Sequence, residues 1–164
     1  MHQEANILIE KLSLLPHPEG GYFKEIYRSQ QSSQLGKPYN GQRSFSTSIY
    51  FLLTSDQFSA FHKISQDEIW HFYKGSPIHL HIIYPEGKYQ LVKIGNNLEK
   101  GEVPQYVVPG GHWFAAEVIN PNSYSLVGCT VAPGFDFLDF ELAKQNDLTT
   151  ICPQQKKLIS QLIR

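Results

Sequence analysis

Between Ala5 and Leu15 the apolar residues Ile7, Leu8, Leu12 and Leu15 fall at three- and four-residue spacings, the period of a helix that buries one face. Pro16 and Pro18 forbid its continuation, so the pattern predicts a short opening helix. Tyr22 to Ser29 alternates as a strand, and the polar stretch Gln30 to Gln42, with Gly36, Pro38 and Gly41, reads as a mobile loop. From Ser44 onward short strand-like runs recur: Ser46 to Leu53, Ser59 to Ile64, Glu68 to Tyr73, Ile78 to Tyr84, Tyr89 to Ile94, Tyr106 to Val108, Trp113 to Val118 and Tyr124 to Val131. Turn residues such as Lys74-Gly75, Glu86-Gly87-Lys88, Gly95-Asn96-Asn97 and Pro109-Gly110-Gly111 separate them. Short strands with frequent reversals, and no helices alternating with them, predict an all-β barrel or sandwich rather than a parallel α/β sheet. Phe137 to Ala143 fits a helical turn, and Gln154 to Ile163, with Leu158, Ile159, Leu162 and Ile163 on one face, predicts a closing surface helix.

Composition narrows the function more than the fold. At 164 residues the chain has the size of one ordinary domain, expected over 1–164. Its 14 Lys plus Arg and 15 Asp plus Glu leave no basic field for phosphate backbones or anionic lipid, so neither nucleic acid nor a membrane is an expected partner. No apolar run approaches the roughly 20 residues of a membrane span, and no basic segment precedes an apolar one at the N-terminus; a soluble, cytoplasmic protein is expected. Cys129 and Cys152 form no CxxC pair and read as buried thiols. Aromatics at 13% suit half-buried pleated surfaces.

The candidate chemistry lies between Phe61 and His81, where His62, Asp67, Glu68, His71, His79 and His81 gather. With Glu68 inward, Trp70 and Phe72 line the same interior and His71 points away. His79 and His81 share a face opposite Ile78, Leu80 and Ile82, and alternation leaves open which face is inward. A carboxyl at position 68 among Trp70, Phe72 and Phe61 is desolvated, which raises its pKa unless His62 pairs with it. Such a His/Glu pair can take a proton from a carbon beside a carbonyl and return it. Tyr22, Arg28, Arg43 and Tyr50 are further anchoring candidates, since arginine grips anions and tyrosine offers a flat apolar face.

His62, Glu68 and Gly75 resemble the outline of the first cupin motif, G-x5-HxH-x3-4-E-x6-G, and Pro109-Gly110-Gly111 resembles the PxG of the second. Metal-binding members of that superfamily use two histidines and a glutamate from the first motif and a histidine from the second. Here Ile64 and Phe114 stand at two of the histidine positions, with His112 two residues before Phe114. A more extended likeness is carried by His17-Pro18-Glu19-Gly20-Gly21-Tyr22-Phe23 with Glu25, Tyr27, Arg28 and Ser29. It continues in Ser48-Ile49-Tyr50-Phe51-Leu52-Leu53, Asp67-Glu68-Ile69-Trp70-His71 and Val127-Gly128-Cys129-Thr130-Val131-Ala132-Pro133-Gly134-Phe135. These segments resemble the cupin subfamily once filed as domain of unknown function 985, from about Leu12 to Leu142. The resemblance implies a jelly-roll barrel, commonly a homodimer, and a likeness to deoxysugar-nucleotide epimerases that work without metal.

The combined expectation is a cupin-type jelly roll with short terminal helices that binds a small molecule. His62 and Glu68 are the expected catalytic pair of an isomerase or epimerase acting on a sugar-like or other small polar substrate. Tyr22, Arg28, Tyr50, Trp70, Phe72, His79 and His81 are expected around the ligand. No cofactor is expected, although His79 or His81 turned inward would rescue a divalent-metal site. The alternatives are a non-catalytic binding module and a metal-dependent enzyme such as a dioxygenase. A homodimer with His71 at its interface completes the expectation.

Overall fold

The computed structural model describes residues 2–164. It opens with helix α1 (Gln3–Leu12), short strand β1 (Leu15–Pro16) and β2 (Tyr22–Arg28), followed by the hairpin β3 (Ser32–Leu35) and β4 (Gly41–Ser44). The main run of strands is β5 (Thr47–Thr54), β6 (Phe58–Lys63), β7 (Asp67–Gly75), β8 (Ile78–Ile83) and β9 (Tyr89–Ile94). It continues with β10 (Glu102–Val103), β11 (Gln105–Val108), β12 (Trp113–Val118) and β13 (Tyr124–Ala132). The chain closes through β14 (Glu141–Leu142), α2 (Gln145–Ile151) and α3 (Lys156–Gln161).

Two six-stranded sheets form, in the orders β1-β2-β5-β13-β7-β11 and β10-β9-β8-β12-β6-β14. All neighbours are antiparallel except β10 on β9. Facing sheets with these long-range crossings make a jelly roll. Period-two alternation sends Phe51, Leu53, Trp70, Ile78, Leu80, Ile82, Phe114 and Val127 into the space between the sheets. The opposite face of the second sheet packs Phe61, Ile83, Trp113 and Ala115 under Leu148, Cys152, Ile159 and Leu162 of the closing helical segment. Helix α1 covers Leu52, Tyr124 and Leu126 on the outer face of the first sheet.

Three local expectations change. The opening helix ends at Leu12 because Ser13 adopts a left-handed conformation, its N–H reaching back to Glu10 and Ile9 carbonyls, which frees Leu15–Pro16 to pair with β2. The supposed loop at 30–42 contains the β3–β4 hairpin, whose polar, mostly exposed residues give no apolar signature. Helix α2 was invisible in the sequence because Leu148 is its one buried residue. No helix is long and apolar enough to cross a membrane among the described residues.

Leu148 has 1% of its surface exposed and joins α2 to the second sheet. Leu148→Ala is expected to cost about 2–5 kcal/mol in urea unfolding; a loss below about 1 kcal/mol would show that the closing helices are not part of the cooperative core.

Candidate active site

The space between the sheets does not fill completely at one end. A cavity of about 300 Å³ remains, bounded by β2, β5, β6, β7 and β13 and by the segment 133–140. Its walls are Phe23, Ile49, Phe51, Ile64 and Val131, and Phe135, Phe137 and Phe140 close one side. Those three rings pack edge to face on one another. Into this apolar space project His17, Glu19, His62 and Glu68, with Cys129 beside them.

The turn before β2 delivers the first two. Its N–H groups bond within the turn, Gly20 to the His17 carbonyl and His17 to the Gly21 carbonyl, while the Ala60 N–H reaches the Glu19 carbonyl and docks the turn on β6. Gly20 and Gly21 hold φ of 114° and 73°, and a Cβ at Gly20 would overlap the Phe58 carbonyl. Glycine is therefore required for this close approach. The result is a carboxyl group, Glu19, held against strand β6, where the Ser59 hydroxyl donates to its Oε1 at 2.9 Å.

His62 faces Glu19 from β6. Its Nδ1 lies 2.7 Å from the Ala60 carbonyl, which only accepts, so Nδ1 carries the proton. Its Nε2 lies 3.1 Å from Glu19 Oε2. A neutral imidazole and an ionised carboxylate would present two acceptors to each other there, so this close contact calls for a proton on one of the two groups. Burial lowers the His62 pKa, against raising contributions from Glu68 and the Ala60 bond, and raises that of Glu19. Both directions favour uncharged groups, a Glu19 carboxylic acid facing a neutral His62 ring. His17 completes the cluster as a second neutral imidazole: the Glu19 N–H donates to its Nδ1, and burial lowers its pKa.

Glu68 projects from β7 on the other side. Burial pushes its pKa up from 4.5 to about 7, and nearby Cys129 and Trp70 moderate the rise. The Trp70 Nε1 has no hydrogen bond of its own, so its influence on Glu68 is one of proximity. Cys129, also driven up by burial and by Glu68, remains a thiol and is no nucleophile.

Of the expected site residues, His62, Glu68 and Arg28 line the cavity. Arg28 reaches it because a bulge between Glu25 and Tyr27 resets the strand's alternation. Its guanidinium forks onto Glu25 at 2.9 and 2.7 Å and donates to the Phe135 carbonyl, tethering the aromatic wall. Trp70 and Phe72 pack in the inter-sheet core rather than on the cavity wall. Tyr22 and Tyr50 lie off the cavity, packed with the α1 cluster, because Phe23, Ile49 and Phe51 take the inward positions of their strands. His79 and His81 also lie off it, since Ile78, Leu80 and Ile82 fill the interior and leave both histidines on the outer face. Arg43 is buried in a bidentate pair with Asp139 at 2.8 and 2.7 Å, shared with Gln66. His71, on the opposite face of β7, meets Thr130 Oγ1.

The chain matches the family described as Cupin superfamily (DUF985) over residues 6–143. It belongs to that cupin family. An uncharacterized protein of Saccharomyces cerevisiae, YML079W, is 39% identical across 85% of this chain and 75% of that one. A hypothetical protein from Leishmania major superposes with a TM-score of 0.90, at 36% identity and 99% coverage of each chain. Oxalate decarboxylase from Bacillus subtilis, at 13% identity, shares the fold with a TM-score of 0.56 over 90% of this chain and 36% of that one.

Cupins often hold a metal between the sheets, and the donors here do not fit one. Phe114, where a ligating histidine would stand, packs its ring 4.1 Å from the His62 imidazole, and Ile64 occupies the other position on the wall. His112 does not line the cavity; it bonds the Gly110 carbonyl and meets Tyr84. The remaining His62 nitrogen is engaged by Glu19. Among the described residues, three metal-ligating side chains with ligand atoms within 4.8 Å of one another occur only outside this cavity.

Sequence reasoning gave no chemical role to His17, Glu19 or Ser59. The first two sit in a turn, where strand parity says nothing about direction; the signal was a histidine and a carboxylate directly before Gly20-Gly21.

Glu68 also sets a pH dependence. Its raised pKa means that the folded cupin holds an extra proton between about pH 4.5 and about 7, so stability falls as pH rises through that window and stays lower above it. Glu68→Gln is expected to be more stable than the parent by on the order of 1–3 kcal/mol at about pH 8, the gap closing near pH 5. A gap of unchanged size at both pH values would refute the raised pKa.

Proposed function

We propose that this cupin binds a small molecule in the cavity and moves a proton on it, as isomerases and epimerases do. The observation that carries the reading is the 3.1 Å approach of Glu19 to His62 in the same cavity as a second carboxyl group, Glu68, with a pKa of about 7. Glu68 is ionised in an appreciable fraction of molecules at neutral pH and serves as the base. The Glu19 acid, its proton shared with His62, serves as the donor. These roles reassign the expected His62–Glu68 pair: the His62 Nδ1 is tied to the Ala60 carbonyl and its Nε2 faces Glu19, so His62 positions and tunes Glu19.

A base and an acid on separate walls allow a proton to leave one atom of a substrate and return to another, or to the opposite face. A carbonyl beside the reacting carbon would make the proton acidic enough, and the shared Glu19 proton would stabilise the developing enolate oxygen. About 300 Å³ is the lower end of ligand-site volumes, which suits a small metabolite. The three-phenylalanine wall supports a second reading, a non-catalytic module that binds the apolar face of its ligand.

The test is incubation in deuterium oxide with a panel of ketoses, 2-oxo acids and sugar derivatives, following C–H signals by proton NMR. Exchange of at least one compound is expected, slowed about 10²–10⁴-fold by Glu68→Gln and by Glu19→Gln. A compound that binds tightly without exchange, or exchange that survives both substitutions, would exclude proton transfer and leave the binding module.

A further inference from the structure

The outer face of the second sheet carries a separate polar cluster. Strand β8 contributes His79 and His81, and the neighbouring β12 contributes Glu117, which lies directly opposite His79 in the strand register. Glu117 Oε1 is 3.2 Å from His81 Nε2 and 3.9 Å from His79 Nδ1. All three donor atoms lie within 4.8 Å of one another. His81 is nearly buried, with 5% of its side chain exposed, whereas Glu117 is 42% exposed. The donors therefore open on solvent from one side and are walled by protein on the other.

From these positions we infer that His79, His81 and Glu117 form a binding site for a borderline divalent transition metal of the zinc class. Two imidazoles and one carboxylate are the donor chemistry of that class and do not suit the all-oxygen preference of Mg²⁺ or Ca²⁺. With Zn–N and Zn–O bonds of about 2.0–2.1 Å, ligand atoms of a tetrahedral ion stand about 3.3 Å apart. The observed 3.2 and 3.9 Å, with all three ligand atoms inside 4.8 Å, lie close to that spacing. Three protein ligands leave the fourth position to water.

The surroundings support the assignment. His81 Nδ1 lies 2.9 Å from the Tyr89 hydroxyl, the outer contact that orients a ligating histidine. The Tyr89 hydroxyl can accept a hydrogen bond from Nδ1–H, which leaves the Nε2 lone pair free for the metal. Without metal it can donate to Nδ1 while Nε2–H points at Glu117. Strand pairing fixes the backbone under both histidines: His81 opposes Ala115 on β12 and Leu91 on β9, and His79 opposes Lys93. The Lys93 ammonium is carried on a long stem and can turn into solvent. This site lies on the opposite side of the sheet from the cavity, and it does not depend on the proton-transfer reading.

The experiment treats the full chain with a chelator, removes the chelator and titrates zinc chloride by calorimetry. One Zn²⁺ per chain is expected, with a rise in thermal midpoint as the ion binds the folded state, and no effect of magnesium chloride at the same concentrations. His79→Ala and Glu117→Gln, both at partly exposed positions, are expected to weaken binding by more than the about 10–100-fold that loss of an outer-shell contact costs, and Tyr89→Phe by about tenfold. His71→Ala and His62→Gln are expected to leave it unchanged. Absence of zinc binding, binding that survives both His79→Ala and Glu117→Gln, or binding lost in His62→Gln would overturn the assignment.

Discussion

A carboxyl group removed from water must be neutralised or matched by another charge, and this constraint organises the cavity end of the molecule. Glu19 is enclosed by β6 and by a turn that only two left-handed glycines allow to approach so closely. It lies 3.1 Å from His62 Nε2, and the imidazole is fixed by the Ala60 carbonyl on one edge and by Phe114 and Phe140 on its faces. A buried ion pair gains Coulomb energy but loses hydration on both partners; a neutral pair avoids most of that loss. Glu68 then experiences few compensating charges, which is why its proton affinity rises into the neutral range. The aromatic wall, the thiol of Cys129 and the Arg28 tether to Phe135 all preserve the same dry surroundings.

The second sheet separates two kinds of histidine by strand parity. On β12, Phe114 turns inward over His62, while Ala115 and Glu117 turn outward beside His81 and His79. Side chains one residue apart thus serve opposite faces, one packed inward against His62 and one turned outward towards the His79, His81 and Glu117 cluster. In this chain the interior ligand positions have become Ile64 and Phe114, whereas an intact set of two imidazoles and a carboxylate lies on the exterior.

Much of the fold was legible because alternation and turn residues record the strands directly: the main strands from Tyr22 to Val131 occupy nearly the segments their sequences indicate. Strand alternation also put Trp70 and Phe72 on the same face as Glu68. Other features were hidden for specific reasons. The β3–β4 hairpin is held by backbone pairing and by the Arg43–Asp139 contact across 96 residues of chain, and no local pattern marks it. Tyr22 and Tyr50 were placed one residue out of phase, since a tyrosine fits a pocket as well as the underside of a helix. His79 and His81 could be oriented only by knowing that Ile78, Leu80 and Ile82 fill the interior. Glu19 required a tertiary contact between a turn and a distant strand, which strand periodicity does not encode.

The central claim is the state of the proton between Glu19 and His62, and nitrogen-15 NMR of protein labelled at the histidine rings measures it directly. At about pH 7 a neutral His62 imidazole protonated at Nδ1 is expected, with its Nε2 signal moving when Glu19→Gln is introduced. A His62 ring protonated at both nitrogens would place an ionised Glu19 in the cavity and contradict the account.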